Sequence, residues 1–190
     1  MIKRVGLWTT LLIFSAGIIF TVIFNMGLSA TNEMEFCTSC HSMQVNLKEY
    51  KETVHYKNAS GVRATCADCH VPKAFGPKMV AKVLAYKDVL HEILGTIDTP
   101  EKYEAHRWGM ANRVWDKMKA TDSRECRSCH AFDQMDLAEQ DRSAQKRHAK
   151  AEDQGKTCID CHKGIAHEEP DEPEEVDVSE AQVETKKQEG

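Results

Sequence analysis

Four copies of one five-residue pattern constrain this chain more than anything else in it: Cys37-Thr38-Ser39-Cys40-His41, Cys66-Ala67-Asp68-Cys69-His70, Cys126-Arg127-Ser128-Cys129-His130 and Cys158-Ile159-Asp160-Cys161-His162. Together they use all eight cysteines and four of the nine histidines. A disulfide framework needs suitable Cα separations but has no use for a histidine after every second cysteine. Zinc sites combine two CxxC pairs, or one pair with a spaced histidine pair, and four identical units do not divide that way. A thioredoxin-like redox pair would need a βαβ surround, and none flanks these segments. The pattern instead suits covalent c-type haem, in which the two thiols form thioethers with the vinyl groups and the adjacent imidazole is placed to bind the iron. Four haem c groups per chain are expected.

The N-terminus predicts the compartment. From Val5 to Leu28 the chain carries no charge, and at about 1.5 Å per residue such a helix spans roughly 36 Å, enough to cross a hydrocarbon core of about 30 Å with some tilt. A cleaved signal peptide has a shorter apolar core, about 7–15 residues, and ends in an A-x-A-like site, for which Leu28-Ser29-Ala30 is a poor match. The segment reads as an uncleaved anchor. Lys3 and Arg4 precede it whereas Glu33 and Glu35 follow it, so the positive-inside rule keeps the N-terminus cytoplasmic. The rest is expected on the periplasmic side of a bacterial inner (cytoplasmic) membrane.

Charge divides the remainder of the chain. Glu168 to Gly190 holds ten acidic residues and two lysines, so it carries −8 in a chain whose net charge is −5, and everything before it sums to +3. That stretch is poor in apolar residues and contains Pro170 and Pro173, a composition that cannot bury enough surface to offset its ordering entropy. It is expected to be disordered, either as a solvated extension or as a device that steers a basic redox partner. The expected organisation is therefore an anchor over 1–32, a tetrahaem domain over 33–168 and an acidic tail over 169–190. No basic stripe with interleaved aromatics suggests nucleic acid.

The central segment, about 135 residues with few aromatics, would build only a marginal core from side chains, so the macrocycles are expected to supply the missing apolar surface. Helical periodicity runs from Pro77 to Leu94 (Met79, Val80, Val83, Leu84, Val89, Leu90, Ile93) and stops before Gly95. Thr99-Pro100-Glu101 supplies an N-cap, a proline at N1 and a first-turn acid, predicting a helix through about Lys119. A third helix is predicted from Met135 to Gln154, ending at Gly155. No run alternates with period two. The fold class expected is mainly α with little regular structure: one transmembrane helix plus a compact multihaem domain.

The first motif stands apart. It reads on as Cys40-His41-Ser42-Met43 and lies a few residues past the membrane exit, so haem 1 should sit near the bilayer surface. Met43 is either a hydrophobic gap-filler or a thioether that reaches the iron in place of His41. This CxxCHxM unit behind a single N-terminal helix, with Cys66–Pro72, Asp122–His130 and Thr157–His167, resembles the NapC/NirT family over about residues 1–170. The resemblance implies a membrane-anchored tetrahaem cytochrome that oxidises quinol, menaquinol or ubiquinol, and reduces a periplasmic terminal reductase, with nitrate or nitrite reductase foremost.

Four haems offer up to eight axial positions. The motifs supply His41 or Met43, His70, His130 and His162, leaving His55, His91, His106, His148 and His167. The resemblance implies Met43 on haem 1, His167 on haem 2 opposite His70, and His55 on haem 4 opposite His162. His148 is the candidate for haem 3 opposite His130, with His106 as runner-up. His91, on the helix of the expected quinol site, reads as a solvated side chain. On residues alone Lys82, Lys87 and Asp88 form an exposed charged face. The resemblance instead makes Lys82 and Asp88 the quinol site, with Asp88 on the open side of haem 1 and itself a candidate for its iron. Such a site needs a titratable acceptor near the headgroup, because oxidising a quinol releases two protons with its two electrons.

Two rival readings stay open. One is an anchored multihaem carrier without its own quinol site. The other is a catalytic reductase with an open haem, whose usual mark, a lysine-ligated CxxCK motif, is missing from the sequence. The resemblance implies a quinol dehydrogenase only in the electron-transfer sense, and monomer and homo-oligomer are both compatible with it.

Overall fold

The structure, a computed structural model, describes residues 2–151 and 153–173. The acidic run from 174 onward, expected to be disordered, lies outside the described residues. Helix α1 (Ile2–Ala30) opens the chain. Its stretch Gly6–Ala30 is long and apolar enough to cross a membrane, and none of it is buried against the rest of the protein. Its polar side chains turn back on the helix: Thr10 and Thr21 hydroxyls donate to the Gly6 and Gly17 carbonyls at 2.9 and 2.8 Å, and the Asn25 amide donates to Thr21 at 2.8 Å. Such back-bonding satisfies polar groups where lipid offers no partner.

Eight further helices follow among the described residues: α2 (Met34–Cys37), α3 (Met43–Lys51), α4 (Cys66–His70), α5 (Phe75–Leu84), α6 (Tyr86–Ile93), α7 (Pro100–Ala120), α8 (Arg124–Arg127) and α9 (Arg142–Ala151). Three 3-10 turns, Phe132–Gln134, Leu137–Glu139 and Cys158–Asp160, complete the regular structure, and the described residues contain no strand. The expected class is what is found, a single apolar N-terminal helix and a helical domain. Only Tyr50, Ile97, Tyr103, Trp115 and Ile159 form the buried hydrophobic core of the described residues. That is too little side-chain burial for a domain of this size to stand on alone.

α7 begins as predicted, with the Thr99 hydroxyl accepting from the Lys102 amide at 3.3 Å and Pro100 in the first turn, and it runs one residue beyond Lys119. Two other helices differ from expectation. The single helix predicted over Pro77–Leu94 is two, α5 and α6, parted at Ala85 (φ −62°, ψ −11°). The reason lies in the apolar pattern: in one unbroken helix the Val80/Val83/Leu84 stripe and the Tyr86/Val89/Leu90/Ile93 stripe would point roughly 120° apart at 3.6 residues per turn. A break lets each stripe be oriented independently. Gly95 ends α6 at φ +68°, with the Thr96 amide reaching the His91 carbonyl at 2.9 Å. The helix predicted over Met135–Gln154 is only α9, because Asp136 spends its carboxylate on the Ala138 amide at 2.9 Å and closes a 3-10 turn first. Gly155 (φ +62°) does mark the stop, with the Lys156 amide bonded to the Ala151 carbonyl at 2.9 Å.

Helix pairs set the order of the motifs: α2 packs on α4, α4 on α8, and the 3-10 turn Cys158–Asp160 on α7. Ser123, fully buried and left-handed at φ 48°, locks the last of these by accepting the Ile159 amide at 3.1 Å.

Candidate functional site

The second and fourth motifs share the sequence Thr-Cys-x-Asp-Cys-His, and both close a capping box. Asp68 accepts from the Thr65 amide and hydroxyl, each at 2.8 Å, and Asp160 accepts from the same groups of Thr157 at 2.8 and 3.0 Å. The helical turn that spaces the two cysteines is thus fixed by the residues just outside and between them. The backbone hydrogen bond from Thr65 holds the Asp68 carboxyl below its ordinary range. The Lys119 ammonium, with help from the Thr157 amide, lowers Asp160 to about 2.

The attachment points follow one another in space as they do in sequence. The Cys37 thiol lies beside Cys66. Cys69 lies within electrostatic reach of Cys126, and Cys126 of Cys158. Burial pushes the Cys69 thiol up to about 11.

Three pairs of imidazoles face each other. A metal–imidazole bond is about 2.0–2.1 Å and the ring centroid lies about 1.1 Å behind the nitrogen, so rings on opposite sides of one metal have centroids about 6.2–6.4 Å apart. His70 and His167 are 6.3 Å apart, His55 and His130 6.2 Å, and His148 and His162 5.9 Å. His55 and His167 each keep a buried Nδ1 without a hydrogen-bond partner. His148 spends Nδ1 on the Gln140 side-chain oxygen at 2.6 Å, which puts the proton there and leaves Nε2 with its lone pair. His55 is steadied through its backbone, since its carbonyl accepts from the Tyr50 hydroxyl at 2.9 Å and from the Ala64 amide at 3.1 Å. Desolvation and then the neighbouring His167 push His70 down to about 4, although the residue keeps exposed surface. The residues present therefore fit haem between the members of each pair.

The partners differ from expectation at two haems. His55 faces His130 of the third motif, not His162 of the fourth, and His148 faces His162, not His130. The shortened α9 is the cause. With Gln140 held extended ahead of it, α9 presents His148 next to the fourth motif, and the loop after α3 carries His55 to the third. His167 faces His70 as expected. His106, the runner-up for haem 3, is exposed and bonds its Nδ1 to the Lys102 carbonyl at 2.8 Å, away from any facing ring. His91 is exposed.

The first motif has a different setting. Met43 starts α3, half-buried, with its sulfur 3.8 Å from the Asn46 amide nitrogen. Lys82 is not part of a solvated face: its ammonium, half-buried on α5, donates to the Thr31 carbonyl at 2.8 Å and hydroxyl at 2.7 Å, tying α5 to the end of α1. Desolvation lowers its pKa, and the nearby Cys37 opposes that shift. Asp88 is exposed on α6. One turn further along the same flank lies Glu92, which the sequence pattern did not single out. Its Oε1 accepts the His41 backbone amide at 3.0 Å, and its Oε2 is buried with no partner. The i+4 spacing from Asp88 was the available signal. Away from that flank, α5 and α6 expose Val80, Val83, Leu84, Tyr86, Val89, Leu90 and Ile93.

A second unanticipated feature closes the domain. Arg107, buried on α7, pairs with Glu49 of α3 at 2.6 Å and with Glu104 at 3.0 Å, and also donates to the Glu168 carbonyl at 2.9 Å. The Glu168 amide in turn donates to Glu49 at 2.9 Å. Nothing local links positions so distant, so no sequence pattern could disclose this clamp beside His167.

A helical domain without strands among the described residues, behind one apolar span and with cysteine pairs and facing imidazoles at haem spacing, defines a single-span c-type cytochrome with covalently bound haem c. The chain belongs to the NapC/NirT cytochrome c family, whose N-terminal region matches residues 2–172. It is 61% identical over 174 residues to a putative tetraheme cytochrome-c type protein of Allochromatium vinosum, covering 92% of this chain and 95% of that one. It is 53% identical to the cytochrome c-type protein NapC of Escherichia coli K12, covering 89% and 86%. Against the denitrification system component NirT of Stutzerimonas stutzeri it is 54% identical, covering 82% and 78%. No solved structure matches it significantly.

Proposed function

We propose that the protein oxidises membrane quinol at its haem 1 end and passes electrons through four haems to a periplasmic reductase of nitrate or nitrite, with the N-terminus of α1 cytoplasmic. The observation that carries this is the Lys82 tether: a half-buried ammonium bonded to Thr31 holds the apolar surface of α5 and α6 at the point where α1 leaves the bilayer. A quinol headgroup arriving from lipid would meet that surface first.

Bound haem iron would supply the one-electron chemistry that splits quinol oxidation into two steps. The chain's own residues do the rest. Lys82 orients the headgroup, and Asp88, exposed on the flank that Glu92 fastens to His41, takes up its two protons in turn and passes each to solvent. Met43 would hold haem 1, with Asp88 as the further candidate for its iron, while His70 and His167, His130 and His55, and His162 and His148 would hold haems 2, 3 and 4. The name of one relative supports a nitrogen-oxide reductase as the acceptor: a denitrification system component is similar along most of this chain.

The test is quinol-dependent haem reduction in proteoliposomes. Lys82→Ala and Asp88→Asn should each slow it by at least about tenfold, near 1.4 kcal/mol of barrier, with haem content and dithionite reduction intact. Unchanged rates in both variants would leave an anchored carrier without a quinol site.

A further inference from the structure

We propose that α9 is a docking face for a redox partner with an acidic surface. The helix reads Arg-Ser-Ala-Gln-Lys-Arg-His-Ala-Lys-Ala, with four cations and no acid. Ala144, Gln145, His148 and Ala151 are its half-buried side, whereas Arg142, Lys146, Arg147 and Lys150 are all exposed. Among the described residues none of these four cations has an ion-pair partner. Glu139 and Asp141, the acids just ahead of the helix, pair with none of them either.

Position gives this face a use. The inner side of the same helix carries His148, which faces His162 at 5.9 Å, and His162 and Cys161 are themselves exposed. A partner seated on α9 therefore comes within one helix diameter, about 10–12 Å, of the fourth motif. Electrostatic complementarity chiefly raises the encounter rate and selects the orientation, which is what a transient electron-transfer pair requires. An acidic surface is the complement of four cations that have no ion-pair partner among the described residues. The inference rests on the reading that electrons leave toward a soluble acceptor.

The probe is succinylated cytochrome c, which is acidic, with unmodified basic cytochrome c as its control, each titrated onto the full chain in nanodiscs. Replacing Arg142, Lys146, Arg147 and Lys150 together by glutamine should weaken binding of the acidic form at low salt by about tenfold and leave the basic form unchanged. The difference should fade as salt shortens the Debye length. A gentler pair, Lys146→Gln with Lys150→Gln, should give part of the loss with the haem spectrum intact. Equal affinities of wild type and both variants would overturn the proposal. So would finding that, once the glutamates between 174 and 189 are changed to glutamine in the full chain, neutralising α9 no longer alters binding of the acidic form, since the cations would then act on the tail and not on a partner. Quinol-dependent reduction, followed in the same preparations, should stay unchanged in the α9 variants. Its failure in wild type would sink the quinol reading and leave the docking result standing.

Discussion

The two ends of the molecule use one motif in opposite surroundings. At the first motif, helices bring an apolar exposed surface, a tethered lysine and a carboxylate, and the motif histidine has no facing ring among the described residues. At the fourth, α9 brings a histidine with its Nδ1 already committed and an outward row of cations. The CxxCH pentapeptide fixes only where a haem is attached. What the iron and its surface can do is decided by the element delivered to the other side.

The sharpest way to break this contrast is to remove the anchor. A chain starting after Ala30 loses the tether that gives millimolar effective concentration at the membrane, so electron uptake from membrane quinol should fall by roughly 10²-fold or more. Dithionite should still reduce every haem. Undiminished quinol uptake by the soluble form would mean that the first motif owes nothing to lipid.

Next in size is the exchange of ligands. His148→Ala should convert one haem from low-spin to high-spin in electron paramagnetic resonance while the Soret-to-protein ratio stays constant. Because the protein distinguishes the two ends, the altered centre should be the one reached from Cys158 and Cys161. If the third motif's haem changed instead, the pairing of His148 with His162 would be wrong.

Glu92→Gln sharpens the comparison from the membrane side. It exchanges a charge-assisted bond to the His41 amide for a neutral one, a loss of about 1 kcal/mol. Quinol uptake should slow several-fold with no change in the midpoint potential of the fourth haem. A variant indistinguishable from wild type would reduce Glu92 to packing.

The smallest effect is expected at Asp160. Lys119 and the Thr157 amide lower its folded pKa to about 2, beneath its ordinary 3.8, so its contribution is complete above about pH 4 and is lost as pH falls toward 2. The carboxylate is partly exposed, so the effect is modest. Asp160→Asn should lower thermal stability by roughly 0.5–1 kcal/mol at neutral pH, as loss of a cap does, and flatten acid unfolding between pH 4 and 2. Asp68→Asn should also lower thermal stability, since the Thr65 amide lowers that carboxyl too, and unchanged stability in both variants would remove the capping boxes from the account.

Sequence reasoning reached the parts written in local patterns. Thr99-Pro100, Gly95, the apolar run of α1 and the four motifs each carry their structural meaning within a few residues. The α5–α6 break was also local, but it lay in the phase between two apolar stripes and not in the composition. Which histidine faces which motif was not legible, because His55 and His148 reach their partners through the path of whole loops, and the spacings 55 to 130 and 148 to 162 do not distinguish one haem from another. Glu92 and Arg107 escaped for the same reason: their partners, His41 and Glu49, are 51 and 58 residues away.

The clamp of Arg107, Glu49 and Glu168 also sets an order of events. Glu49 and Glu168 are 119 residues apart, nearly the whole length of the haem domain. Loop-closure entropy grows only by about 0.6 kcal/mol for each doubling of length, so joining such distant points is inexpensive once both are present. Both are present only late. A chain emerging from its N-terminal anchor delivers His70 before the third and fourth motifs and His167 after them, so the second motif waits through the emergence of both before its facing imidazole is fixed. Glu168 buckles Glu49 and Arg107 together, and the second centre can close only once the chain has emerged past His167.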